Sequence, residues 1–446
     1  MLPIVCVPES VSSAMNCHRD VFCRDEGFEH VSRYITGLIT SPNKTLQGIY
    51  DWQIWGGDPP SRRAMHEAIF ESGWRLDDLM VSHRQQVAAD YQRQGRHVIS
   101  LDWTFSHHDQ GPQIYGVKKS YDYVEKRMSR FQTVVTATVS NSSRVDGLEA
   151  TVQHPNWEAE EISYLQATQK ESYDQMEAAR QRLLELLHHQ KHQVEYVKRT
   201  EIAVDIVKQI ESENQFPDAH YAFDNGVLTL ELTCLIESCG KHWVSEIECS
   251  RNIQWRGEWK RADEIDQLLR DNSPDTFRPI TVSGRNGEVK SYWVFTKVVR
   301  LKRYGRKRLV IVHEQPDLTD SARFLLTDAN HWESRRILQT WNYRWASEVF
   351  HEFTKQVTGF ESAQLRKEEA VKRHFRLSCI AQSIIQQVPA SGVKSERFAF
   401  AKGKITFGQR CRTILRELLT ALVKSVEHLF SSGKSSEQIV EALMPT

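Results

Sequence analysis

Two unlike stripes run along one stretch of the chain, residues 341–357, and together they limit what the rest can fold into. Ala346, Val349, Phe350, Phe353 and Val357 recur at helical spacing, which predicts a helix docked on a core by one side. Trp341, Arg344, Glu348 and Lys355 lie three, seven and fourteen residues along from the first of them. At about 100° per residue, these four share one narrow face. An aromatic ring, a guanidinium, a carboxylate and an ammonium are thus aimed the same way. The plain account, an Arg344–Glu348 pair one turn apart, is worth only about 0.2–0.5 kcal/mol on a surface helix and leaves the other two unexplained.

The chain has 446 residues, 26% charged and 40% hydrophobic, enough for two or three globular domains with a sizeable core. No apolar run approaches ~18 residues, and the first eight are too short for a signal segment, so a cytoplasmic protein with no membrane partner is expected. Eight cysteines occur without a C-x-x-C pair. The groups Cys17/His18/Cys23 and Cys234/Cys239/His242/Cys249 match no standard zinc spacing, so free thiols are expected. Net charge is zero but unevenly spread: residues 147–237 hold seventeen acids against seven bases, and residues 241–308 hold sixteen bases against nine acids. The basic block is where a polyanion would bind.

Two aspartates sit in segments where a carboxylate is unusual. Residues 97–105 read as a strand of β-branched and aromatic residues around Asp102, and a buried ionised carboxylate is costly unless a cation meets it. Asp109, in a turn-like run, is the nearby rival. Residues 127–140 supply strands to pair with the first. Farther on, an amphipathic helix over 200–213 leads to a strand ending in Asp224-Asn225-Gly226 and then a helix from Leu228. That puts Asp224 at the carboxyl end of a strand, where open α/β sheets gather ligands. Asp205, on the preceding helix, is the weaker alternative.

Arg344, three residues, Glu348, six residues, Lys355, with Trp341 in place of a tyrosine, resembles the Tyr-Arg-Glu-Lys signature of DDE transposases of bacterial insertion sequences. Arg344-Trp345 and Phe350-His351 extend the likeness, and Gln364, Arg366, Arg373 and His374 fit a looser continuation. The resemblance implies an α/β fold, an RNase H-like catalytic core interrupted by a β-rich insertion, with helical N-terminal and C-terminal parts. It divides the chain into a helical DNA-end-binding part (1–95), core (96–240, with an acidic helical segment at 157–196), basic β-rich insertion (241–325), core with the signature helix (326–400) and helical tail (401–446). Asp102, Asp224 and Glu348 would hold two Mg²⁺ ions, with Mn²⁺ able to substitute, and Arg344, Lys355 and Trp341 would contact DNA. Double-stranded DNA, as transposon terminal repeats and target, is the implied partner. A homodimer on that DNA and a bacterial, nucleoid-associated location are implied as well. The alternatives are a catalytically silent, domesticated DNA-binding relative and a non-transposing nuclease of the same fold.

Inside the basic block, Arg300, Lys302, Arg303, Arg306, Lys307 and Arg308 form one hairpin-like run, interleaved with Trp255, Trp259 and Tyr304. Bases beside aromatics suit phosphate contact with base stacking; a solubilising charge run is the alternative. Phe324, by the resemblance, occupies a place where some relatives stack on a flipped base, although core packing is the commoner use of such a residue. Near the N-terminus, Arg62 and Arg63 open a short helix, and base contact or mere packing are both open there. His188 and His192, one turn apart, are expected to be solvated.

Overall fold

The computed structural model describes residues 2–154, 196–390 and 405–443, apart from 56–57, 93–94, 109–110, 112, 124 and 285–286, plus scattered positions within 155–195. Asp109, His188 and His192 lie outside the described residues, as does most of 157–196.

Among the described residues, five α-helices open the chain: α1 (Glu9–Met15), α2 (Asp25–Thr40), α3 (Leu46–Tyr50), α4 (Arg62–Phe70) and α5 (Leu76–Gln92). Their starts are written locally. Thr45 and Ser61 accept the Gly48 and Ala64 amides as N-caps, and acids fill the first turns of α2 and α5. Four strands follow, β1 (Val98–His107), β2 (Lys118–Asp122), β3 (Arg127–Ser140) and β4 (Val145–Gln153). After α6 (Arg199–Glu213) come β5 (His220–Phe223), α7 (Leu230–Ser238), β6 (Trp243–Glu246), β7 (Asn252–Trp255), β8 (Glu258–Arg261) and α8 (Ala262–Asn272). The strands β9 (Arg278–Ser283), β10 (Val289–Leu301), β11 (Gly305–His313) and β12 (Arg323–Thr327) lead to α9 (Ser334–Arg344), α10 (Ala346–Gln356), α11 (Glu368–Gln387), α12 (Phe407–Ser431) and α13 (Ser436–Leu443).

All twelve strands join one mixed sheet in the order β2-β3-β1-β5-β6-β12-β11-β10-β7-β8, with β4 added to β3 and β9 to β10. β3 runs antiparallel to both β1 and β4, whereas β5 and β6 run parallel to β1. Side chains alternate between two helical layers, as a strand's twofold period requires. Ile99, Leu101, Tyr221, Phe223 and Trp243 pack with α6–α8 on one face. On the other face, Val134, Val145 and Val152 pack with α2, α10 and α11, and Val244, Val310 and Leu325 pack with α9.

Three expectations change in this setting. The helix foreseen across 341–357 is two helices, because Trp345 separates α9 from α10. The β-rich block of 241–325 is continuous with the central sheet: β6 is its parallel fifth strand, β12, β11 and β10 extend the edge, and the block includes a helix, α8. The N-terminal helices share a continuous core with α10 and α11, so 1–95 is packed into the body of the protein.

Candidate active site

The parallel register puts two carboxylates side by side. Leu101 is level with Phe223 across β1 and β5, so the next residues on the two strands, Asp102 and Asp224, are neighbours. Both alternate with residues packed under α6–α8 and therefore face the α9–α10 side. Phe223 is in turn level with Ser245 on β6, and the residue after it is Glu246. A row of three acids thus crosses β1, β5 and β6 at one height. Glu246 was missed in the sequence, although its signal was there: like Asp224, it ends a short apolar strand that a turn follows.

Helix α10 brings the fourth acid. The Arg344 guanidinium, at the end of α9, lies 3.4 Å from Asp102 Oδ2 and donates to Glu348 Oε1 at 2.9 Å. The Ser347 hydroxyl donates toward Asp102 Oδ2 at 2.9 Å, a contact sequence reasoning did not foresee. Asp224 is held by its own turn, where its Oδ1 accepts the Val227 amide at 3.2 Å. Gly226 in that turn allows a close approach, since a Cβ there would fall 2.7 Å from the Trp103 ring. Across from Asp102 on β3, Thr136 Oγ1 meets His351 Nε2 at 2.7 Å, and burial pushes the His351 pKa down to about 3, so the ring is neutral.

All four carboxyls are harder to ionise than usual. Burial raises Asp102, against which Arg344 and Ser347 work. Burial and then the Asp102 charge raise Asp224. Burial raises Glu348 despite Arg344, with Asp102 and Asp224 adding repulsion, and burial raises Glu246. Repelling carboxylates in a shared, partly dry site are what a divalent cation relieves.

The other expected residues divide sharply. Trp341 is buried with α9 against the sheet, its ring 4.8 Å under the Arg344 guanidinium, at the edge of a groove of about 340 Å³ that Glu246, Lys290, Tyr292 and Arg323 also line. Lys355 Nζ reaches the Phe105 carbonyl at 2.5 Å and Glu361 at 3.2 Å, so its charge is engaged within the protein. Phe324 is buried on β12 in the core under α7 and α8, where a base cannot stack on it. Of the basic run, Arg300, Lys302, Arg303 and Arg306 are exposed around the β10–β11 turn, with Lys302 5.3 Å from the Trp259 ring centroid. Lys307 is buried and paired with Glu237 at 3.0 Å, and Arg308 is bound to the Asn330 carbonyl. Trp255 and Tyr304 are buried as well. Both cysteine groups consist of free thiols.

A second cluster lies toward the far end of β1. His107, Asp122 and Glu125 bring their ligand atoms within 4.8 Å of one another, a possible metal-binding triad. No helix among the described residues is long and apolar enough to cross a membrane. No family model matches the sequence, and comparison with curated proteins returns no significant relative.

Proposed function

We propose that the chain is a metal-dependent DNA transposase that cleaves at transposon ends and joins them to target DNA. The observation that carries this reading is that Asp102 and Glu348 share Arg344, while the register of β1 and β5 sets Asp224 beside Asp102. The strand order β4-β3-β1-β5-β6, three antiparallel strands and then two parallel ones, supports an RNase H-like core with the first two acids on its central pair. An all-oxygen donor set fits Mg²⁺, a hard cation that takes carboxylates, and Mn²⁺ in its place.

Asp102, Asp224 and Glu348 would hold the ions, and Glu246 is placed to take part from the next strand. Two Mg²⁺ ions held there would make the oxygen of water or of a 3′-OH nucleophilic at phosphorus and would stabilise the leaving oxygen. If cations offset the Asp102 and Glu348 charges, Arg344 would be able to turn its planar fork to phosphate. Arg300, Lys302, Arg303 and Arg306 would hold duplex backbone at the sheet's edge.

Purified protein with Mg²⁺ and a duplex carrying the inverted repeats that flank its coding sequence tests this reading. Cleavage with joining of the new 3′-OH end to a second duplex supports it. Binding without cleavage indicates a silent DNA-binding relative, and cleavage without joining a nuclease.

A further inference from the structure

His107 closes β1 about 17 Å beyond Asp102 along the strand, at ~3.3 Å per residue, so its surroundings are separate from the acid row. Its Nε2 lies 2.6 Å from Asp122 Oδ2 and 4.0 Å from Glu125 Oε1. Asp122 is fully buried, and its other oxygen accepts the Glu125 amide at 3.2 Å, fixing the turn that carries both acids. On the opposite side of the ring, Nδ1 lies 3.4 Å from Glu361 Oε1. In the metal-free chain the 2.6 Å contact puts a proton between Nε2 and Asp122; a cation would displace that proton, while Nδ1–H stays directed at Glu361. A carboxylate behind a histidine whose other nitrogen faces further donors is the arrangement by which proteins orient metal-bound imidazoles.

Around the ring, Glu125 lies 2.6 Å from Arg127 and Glu361 3.2 Å from Lys355, while the buried Asp122 faces His107 Nε2. We propose that His107 Nε2, Asp122 and Glu125 form a second divalent-cation site, selective for Zn²⁺ over Mg²⁺, with Glu361 as the outer carboxylate that orients the histidine. One imidazole nitrogen with two carboxylates suits Zn²⁺, whereas Mg²⁺ prefers oxygen donors and water. Three protein donors leave one position for water. An ion there would fasten the β2–β3 turn to the end of β1 and, through Glu361, connect to Lys355 on α10.

The test is Zn²⁺ binding by the full-length protein, measured by competition with a chromophoric chelator, with Co²⁺ as a visible-absorption probe of low coordination. Wild type should bind one Zn²⁺ that a large excess of Mg²⁺ does not displace, and Co²⁺ should give intense absorption. His107→Asn should remove both signals. Glu125→Gln, on a partly exposed side chain that leaves the core untouched, should weaken binding, and Glu361→Gln should weaken it by roughly 10–100-fold. Asp102→Asn and Glu348→Gln should leave Zn²⁺ binding unchanged, so this result stands or falls apart from the proposed cleavage reaction. Zn²⁺ binding that survives both His107→Asn and Glu125→Gln, that follows Glu348 instead, or that is absent from wild type would overturn the site.

Discussion

Asp224 shows how one residue carries both a cost and a use. Burial and the neighbouring Asp102 charge raise its carboxyl, so the folded chain holds that proton more tightly than the unfolded chain does. The stability linked to this group is fully present below the unfolded pKa, near 3.9, and is lost as pH rises through the folded value. In metal-free protein, the melting temperature of Asp224→Asn should therefore equal or exceed that of wild type at pH 7, with the gap closing toward pH 4. Mg²⁺ should raise the melting temperature of wild type more than that of the variant. A variant less stable than wild type in chelator at pH 7 would show that Asp224 is held by favourable contacts and not by an absent cation. Beside it, Gly226→Ala should cost about 1–3 kcal/mol by overpacking Trp103, read from a denaturant titration. An unchanged midpoint would mean that the turn yields freely.

At the scale of elements, the acid row depends on how the layers are fastened to the sheet. Arg84 on α5, fully buried, lies 3.2 Å from Glu149 on β4 and 2.5 Å from Glu213 on α6, and Arg376 on α11 reaches Glu149 at 2.5 Å. Burial opposes ionisation of Glu149, but Arg376 and Arg84 outweigh it and hold its carboxyl below the usual range. Its contribution is present above the unfolded pKa and lost as pH falls through the folded one, opposite in sign to that of Asp224. Arg84→Ala should cost about 3–5 kcal/mol, since it leaves a buried carboxylate short of a partner; calorimetry showing under 1 kcal/mol would refute the clamp. The basic β10–β11 turn is a different case, being exposed and extended. Replacing Arg300, Arg303 and Arg306 with Ala should flatten the salt dependence of DNA binding by about one unit of slope per lost phosphate contact, and an unchanged slope would make the run surface charge. Much of this level was legible beforehand. Helix α4 opens at Arg62, and β3, α6 and the strand into Asp224 lie where their patterns put them, because local periodicity and breakers specify such elements. The break at Trp345 was not legible, since no Gly or Pro marks it and helical spacing continues through it. The burial of Lys307 was equally hidden, because strand pairing across the sheet decides it.

The whole molecule joins these parts through one sheet. Sequence pattern identified Asp102, Asp224 and Glu348 one at a time, whereas only the parallel register of β1, β5 and β6 reveals that the first two are level and that Glu246 continues the row. Sequence distance hides this, since Asp224 lies 122 positions after Asp102 and Glu348 a further 124 along. Likewise the tie from Lys355 through Glu361 to His107 links the signature helix to the far end of β1, which no local pattern encodes. The central claim is that three acids act as one metal-holding unit for phosphoryl transfer. Its most direct test is the rate of strand cleavage of a terminal-repeat duplex against Mg²⁺ concentration, for wild type and for Asp102→Asn, Asp224→Asn and Glu348→Gln. The account predicts cleavage that requires the cation, falls to background in each variant and leaves duplex affinity close to that of wild type. Cleavage near the wild-type rate in any of the three, or cleavage that persists in chelator, would contradict it.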